Sequence, residues 1–233
     1  MIVLGFDATG PLVTVGLADD DRVIGRWDHP ATRTRGNILE NVMDRALAES
    51  KMVRTDVEAL ALATGPGSLT AGRIAWATAS GWAQAAGIPV TGWSVPELQR
   101  RFWFETMGGA SGDVPIEVLT CLIHHRKEET YAYRIDPTQV HSPPTVITPD
   151  TNHRGSNEGG LVCGPALYGN QQRWFGVFGP GAKFAPEEQC VIGGDCIALW
   201  ACHDIKAGHR LNLDQSPIDY GRPPSFRKHQ HNA

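Results

Sequence analysis

The sequence predicts an α/β protein, and three observations carry that prediction. Leu60 to Gly92 reads strand, glycine loop, helix, strand. Three short apolar runs broken by tight turns open the chain and read as antiparallel strands. A second strand pair, Ile116–Ile123 and Glu129–Ile135, precedes a helix from Gly193 to about Lys206.

Taken in order, Ile2 to Asp7 is the first strand. Gly10-Pro11 turns it, and Leu12 to Ala18 returns. Asp19-Asp20-Asp21 is an acidic turn before a third strand from Arg22 to Asp28. A helix spans about Asn37 to Ser50, because Ile38, Leu39, Val42, Met43, Ala46 and Leu47 recur at helical spacing. That stripe is wider than a single core contact needs. Leu60 to Ala63 is short and apolar, as in a buried strand, and Gly65-Pro66-Gly67 forces a sharp turn. Ser68 or Thr70 can cap the next helix by accepting an orphan backbone N–H. That helix runs to about Ala86, where Gly87 stops it by adopting positive φ.

Glu97 to about Met107 is a third helix, and Gly108 to Gly112 is glycine-dense and without periodicity. It divides the chain into residues 1–108 and 109–233. His124 and His125 read as surface or turn residues, since neighbours in a strand point to opposite faces. His141 to Gly160 reads as a loop, and Leu161 to Ala166 as a strand and turn. The tail from Phe226 is polar and basic, with His229 and His231 in a solvated end.

The second helix is built from small residues: Ala71, Gly72, Ala75, Ala77, Ala79, Ser80, Gly81, Ala83 and Ala85. An interior glycine costs about 1 kcal/mol relative to alanine. Close backbone packing against neighbours must recover it. Trp76 and Trp82 stand on different sides of this helix: either both are core residues, or one faces the core and one another surface. The loop before the helix admits two readings. It is a tight strand-to-helix turn, or it is an anion cradle, because a helix N-terminus presents unpaired N–H groups. It is not a P-loop, as no lysine follows the glycines.

Composition sets further bounds. A chain of 233 residues holds one large or two small domains. No apolar run approaches the roughly 18 residues needed to span a membrane, and the N-terminus lacks a basic region before its apolar residues. A net charge of −4 argues against a large nucleic-acid footprint on this chain alone. Cys121, Cys163, Cys190, Cys196 and Cys202 are odd in number and form no C-x-x-C pair, as expected of free thiols in a reducing cytoplasm.

Gly65-Pro66-Gly67-Ser68-Leu69-Thr70, Gly72-Arg73-Ile74 and Ala77-Thr78-Ala79-Ser80-Gly81 closely resemble the signature of the TsaB (YeaZ) family. Leu69 stands where that family has Phe, and Ala71 where it has Gly. The opening strand ending Asp7-Ala8-Thr9 and the closing Pro217-Ile218-Asp219-Tyr220-Gly221-Arg222 also resemble the family's pattern. In the second strand pair Arg126, Glu129 and Tyr131 fit it, whereas His124 replaces an Asp and Pro165 a Gly or Asp.

The resemblance implies an actin-like (ribonuclease H-like) architecture of two subdomains, each a mixed sheet flanked by helices. It implies a non-catalytic, cytoplasmic subunit of the complex that places a threonylcarbamoyl group on adenosine 37 of tRNAs reading ANN codons. Its partners would be a TsaD-like catalytic subunit and a TsaE-like ATPase, with tRNA met through the complex. A second copy of the chain would substitute when these are missing. ATP and a metal would reside in the partner subunits. TsaD-like proteins carry a metal-binding His-x-x-x-His pair where this chain has Val95 and Gln99. An aliphatic side chain and an amide suit no transition metal, so no metal site and no catalytic residue are expected here. The implied partner surface is the first two helices, through Ile38, Val42, Ala71, Ala75 and Ala79. A nucleotide or phosphate would meet Asp7, Thr9, Gly65, Gly67, Ser68 and Thr70. For Asp7 the favoured reading is a turn-stabilising residue bonded to its own backbone.

Two enzymatic alternatives stand beside this. A nucleotide-dependent kinase or transferase of the same fold would need a second phosphate loop, for which Gly193-Gly194-Asp195 is the candidate. A metallopeptidase would need the ligand pair that Val95 and Gln99 replace.

Overall fold

The computed structural model describes residues 1–31, 36–111, 114–126, 128–150, 160–179 and 181–221. The chain opens with β1 (Ile2–Asp7), β2 (Leu12–Asp19) and β3 (Arg22–Pro30). It continues through α1 (Gly36–Glu49), β4 (Ala59–Ala63), α2 (Leu69–Ala86) and β5 (Val90–Trp93). These strands form one mixed sheet in the order β3-β2-β1-β4-β5, with β1 antiparallel to β2 and parallel to β4.

Next come α3 (Val95–Arg100), which continues as π-helical turns to Thr106, and a small hairpin, β6 (Ala110–Ser111) and β7 (Val114–Pro115). The second sheet contains β8 (Leu119–Arg126), β9 (Glu129–Ile135), β10 (Thr145–Ile147), β11 (Leu161–Cys163) and β12 (Lys183–Phe184). The short α4 (Phe175–Phe178) precedes β12, and α5 (Gly194–Lys206) follows it. Its order, β10-β9-β8-β11-β12, repeats that of the first sheet strand for strand, with the same pattern of directions. The expected architecture of two mixed sheets flanked by helices is therefore present.

Period-two alternation builds two cores on the first sheet. Leu4, Phe6, Leu60 and Leu62 point to one face, where α1 and α2 cover them. Val3, Ala59, Ala61 and Ala63 point to the other, where α5 and the second sheet share a core with them. The division between large and small side chains has a steric reason. Gly5 and Gly16 are register partners in β1 and β2, and α5 lies directly on them. A Cβ on Gly5 would sit 2.4 Å from the Ala198 nitrogen, and one on Gly16 2.0 Å from the Asp195 nitrogen. The buried Thr14 hydroxyl accepts a hydrogen bond from the Gly194 N–H at 2.9 Å, which satisfies an orphan donor of the helix.

Residue 108 lies between the strands of the two sheets in sequence, and α5 from the far end of the chain packs on the first sheet. The loop expected over 141–160 contains β10, and residues 151–159 lie outside the described ones. So do Arg222, His229, His231 and the rest of the tail. Helix α3 begins two residues earlier than expected. The Ser94 hydroxyl accepts from the Glu97 N–H at 3.3 Å and caps it. Cys121, Cys163, Cys190 and Cys202 are buried and Cys196 is half-buried, all as thiols. Burial pushes Cys190 up to about 12 and Cys196 up to about 11, which keeps both thiols protonated at neutral pH.

Candidate functional site

Between the two sheets lies a cleft of about 940 Å³. The repeated topology explains its walls. Each sheet contributes the turn between its first two strands and the loop leaving its fourth. From the first sheet come Thr9-Gly10-Pro11 and Thr64 to Thr70. From the second come His124 to Arg126 with Glu128 and Glu129, and Pro165-Ala166. Ile218, Asp219 and Tyr220 complete the lining from the C-terminal segment.

The first wall is drawn together by local hydrogen bonds. The Asp7 carboxylate accepts from the Thr9 N–H at 2.6 Å and the Thr9 hydroxyl at 2.7 Å. Buried behind the cleft, Asp7 is thus engaged by the turn, and Thr9 faces the cleft. The Ser68 N–H donates to the Thr9 carbonyl at 2.9 Å and joins the two loops. Ser68 occupies the cap position of α2, but its side chain makes no capping bond, and Thr70 lies inside the first turn. The expected side-chain cap is therefore absent, and Ser68 instead ties the helix start to the Thr9 turn through its own N–H. Gly65 has φ +93°, a conformation reserved for glycine, and the Gly65-Pro66 bond is cis.

Gly67 lies so close to Thr9 that a Cβ would be 2.7 Å from the Thr9 carbonyl oxygen. Gly67→Val should therefore destabilise the chain by about 1–3 kcal/mol through overpacking. Calorimetry would show this as a melting point lower by roughly 2–4 °C per kcal/mol. Gly10→Ala is the control, since its nearest neighbour would stand 3.7 Å away. Equal melting points for the Gly67 variant and wild type would remove any steric role from this loop.

The second wall corrects one expectation. His124 and His125 both line the cleft, although successive strand residues alternate. A bulge between His124 and Arg126 breaks the alternation: His124 pairs with Thr130 and Arg126 with Glu129, leaving His125 as the extra residue. His125 stacks on Tyr131 with ring centroids 4.3 Å apart. Arg173 pairs with Glu128 at the rim. Among the described residues no group of three His, Cys, Asp or Glu side chains is placed to hold a metal.

Residues 29–100 match the family model described as TsaD: tRNA N6-adenosine threonylcarbamoyltransferase. No curated protein sequence matches the chain. Among solved structures, YeaZ from Pseudomonas aeruginosa is similar at TM-score 0.70 and 19% identity, covering 94% of this chain and 99% of that one. A protein from the same organism with similarity to peptidase YeaZ matches at TM-score 0.70 and 20% identity, covering 95% and 99%. The fold is that of YeaZ. The activator of 2-hydroxyisocaproyl-CoA dehydratase from Clostridium difficile, solved with bound ADPNP, shares the architecture more distantly, at TM-score 0.54 and 8% identity over 89% and 97%.

In this YeaZ-like fold the two positions at which the sequence lacks the expected metal ligands are both committed to packing. Val95 and Gln99 are buried. The Gln99 amide donates to the Cys190 carbonyl at 3.0 Å and accepts from the Trp103 indole at 3.2 Å. Neither residue lines the cleft, so the donor set does not fit a metal. Gly193-Gly194-Asp195 is pressed onto β2 and Arg26 and does not border the cleft.

The residues expected at a partner surface are placed differently. Ala71, Ala75, Ala79 and Val42 are buried in the chain's own core, and Ile38 packs partly against it. The wide apolar stripe of α1 is consumed by the sheet and α2, leaving Glu40, Asn41, Asp44 and Arg45 outside. The outer face of α2 instead carries Arg73, Ala77, Gly81 and Ala85. Trp76 and Trp82 are both half-buried against the same core rather than divided between two surfaces. Arg54 lies over Trp82, 5.3 Å from the ring centroid. Arg173 and Tyr168 of the cleft carried no signal in the sequence.

Among the described residues no helix is long and apolar enough to cross a membrane.

Proposed function

We propose that this chain is the non-catalytic, TsaB-type subunit of the machinery that forms N6-threonylcarbamoyladenosine in tRNAs reading ANN codons. It works in the cytoplasm against a TsaD-like subunit, with a TsaE-like ATPase completing the assembly and a second copy of the chain as substitute partner. The observation that carries this reading is a combination. A fold of full YeaZ length includes a TsaD-family segment whose ligand positions, Val95 and Gln99, are spent on packing. The partner surface is the outer face of α2, from Arg73 to Ala85, beside α1. ATP and metal belong to the partner subunits. A phosphate-bearing ligand entering this chain's cleft would meet Thr9, Gly65, Gly67, Ser68 and Thr70, with Asp7 holding Thr9 from behind.

Sedimentation of the chain mixed with a TsaD-like subunit from the same cell tests the reading. One faster species containing both is expected, and two independent boundaries would overturn it. Mass spectrometry of tRNA nucleosides tests the catalytic division. The modified adenosine should require both subunits, and its formation by this chain alone would refute the non-catalytic role. Steady ATP turnover by the isolated chain would favour the kinase alternative.

A further inference from the structure

The segment after α5 is not a trailing end. The Leu211 N–H donates to the Val90 carbonyl at 2.7 Å, and Leu211 and Leu213 pack partly against the core beneath α2. From there the chain crosses to the cleft. The Asp219 N–H donates to the Thr64 carbonyl at 2.8 Å, and Gly65 approaches the Asp219 carbonyl so closely that a Cβ would stand 2.9 Å from it. Two residues later the chain reaches the other sheet. The Tyr131 hydroxyl donates to the Tyr220 carbonyl at 3.4 Å, and Gly221 rests on the Tyr131 ring. Gly221 has φ +70°, and a Cβ there would lie 2.5 Å from a ring carbon. The Asp219 carboxylate accepts from the Gly221 N–H at 2.7 Å and shapes this turn. One short segment is thus bonded to the loop beyond β4 on one side of the cleft and to β9 on the other.

We propose that residues 208–221 are a releasable clasp, which joins the two sheets at Thr64 and Tyr131 and holds the Gly65–Thr70 loop against the cleft. Among the described residues its hydrogen bonds to the two sheets run through backbone groups and one tyrosine. Residues 214, 215 and 216 are exposed, so the segment stands away from the body between Leu213 and Pro217. Release would free the loop and widen the cleft without unfolding either sheet. The inference rests on these contacts and not on the proposed role in tRNA modification.

The test severs the clasp after folding. A protease recognition sequence is inserted between Gln215 and Ser216, and the native protein is compared before and after cleavage by hydrogen–deuterium exchange. Exchange in 64–72 and 124–131 should accelerate at least tenfold, while β1, β2 and α5 keep their protection. Gly221→Val in the uncut chain should give the same pattern, because a branched side chain can neither adopt that φ nor fit beside the ring. Unchanged exchange at 64–72 after cleavage would overturn the proposal, and so would a uniform rise across the chain. Both outcomes are independent of association with any TsaD-like subunit.

Discussion

Gly16→Val should cost the chain most of its stability. The added Cβ would stand 2.0 Å from the Asp195 nitrogen and 2.3 Å from the Gly194 carbonyl carbon. Both are backbone atoms, so no rotamer change relieves the contact. Helix α5 would have to lift from β1 and β2, and Ile197, Ala198 and Ala201 would lose the core they share with Ala61 and Val3. Overpacking costs about 1–3 kcal/mol where side chains can yield, and this site belongs above that range. Against a typical total of about 5–15 kcal/mol, the variant should unfold at a much lower urea concentration or fail to accumulate as folded protein. Gly81→Ala is the matched opposite. It sits inside α2 with no atom beyond its chain neighbours and the helix's own backbone within 4 Å of the added Cβ, so it should gain roughly 0.8–1 kcal/mol of helix propensity. A Gly16 variant with wild-type urea midpoint would show that α5 does not lie where the structure places it.

The second large effect concerns association. Gly81→Arg and Ala77→Arg each place a long charged side chain on the outer face of α2, where both positions are exposed. Arginine is a good helix former, so folding should be intact or slightly improved. An interface built on close approach of that face would lose about 1–3 kcal/mol, which weakens association roughly ten- to a hundredfold. Analytical ultracentrifugation against the TsaD-like subunit, or of the chain alone, reads this directly. If both variants stay folded and associate like wild type, the contact surface lies elsewhere. Substitutions at Ala71, Ala75 or Ala79 would not make this test, because those side chains lie in the core and would report on folding.

Much of the first sheet was legible because its signals are local. Gly87 ends α2 with φ +69°, as a helix-stopping glycine does. The alternation of Leu60 and Leu62 with Ala61 and Ala63 marks a strand buried on both faces. What escaped depends on distant parts of the chain meeting. The small side chains of β4 carry no sign that α5 will lie on them. The stripe of α1 looked wide enough for a partner because α2 and the sheet share it, which spacing alone does not reveal. Alternation assigned His124 and His125 to opposite faces, and an unforeseen bulge at His125 brought both into the cleft. The start of α3 was available in Ser94-x-x-Glu97, a capping pattern that reading from the apolar residues overlooks. For Arg173 no local pattern existed, since only the folded second sheet carries it to the rim.

The hydrogen bond from Gly194 to Thr14 spans 180 positions of sequence, and that has a consequence for synthesis. A ribosome adding about 5–20 residues per second needs roughly 10–40 s to pass from β2 to the end of α5. Once β4 is made, the nascent chain can pair β1, β2 and β4, yet the face bearing Gly5, Ala59 and Ala61 still lacks α5. Translation that stops before residue 194 would release an unsealed sheet rather than a smaller working lobe.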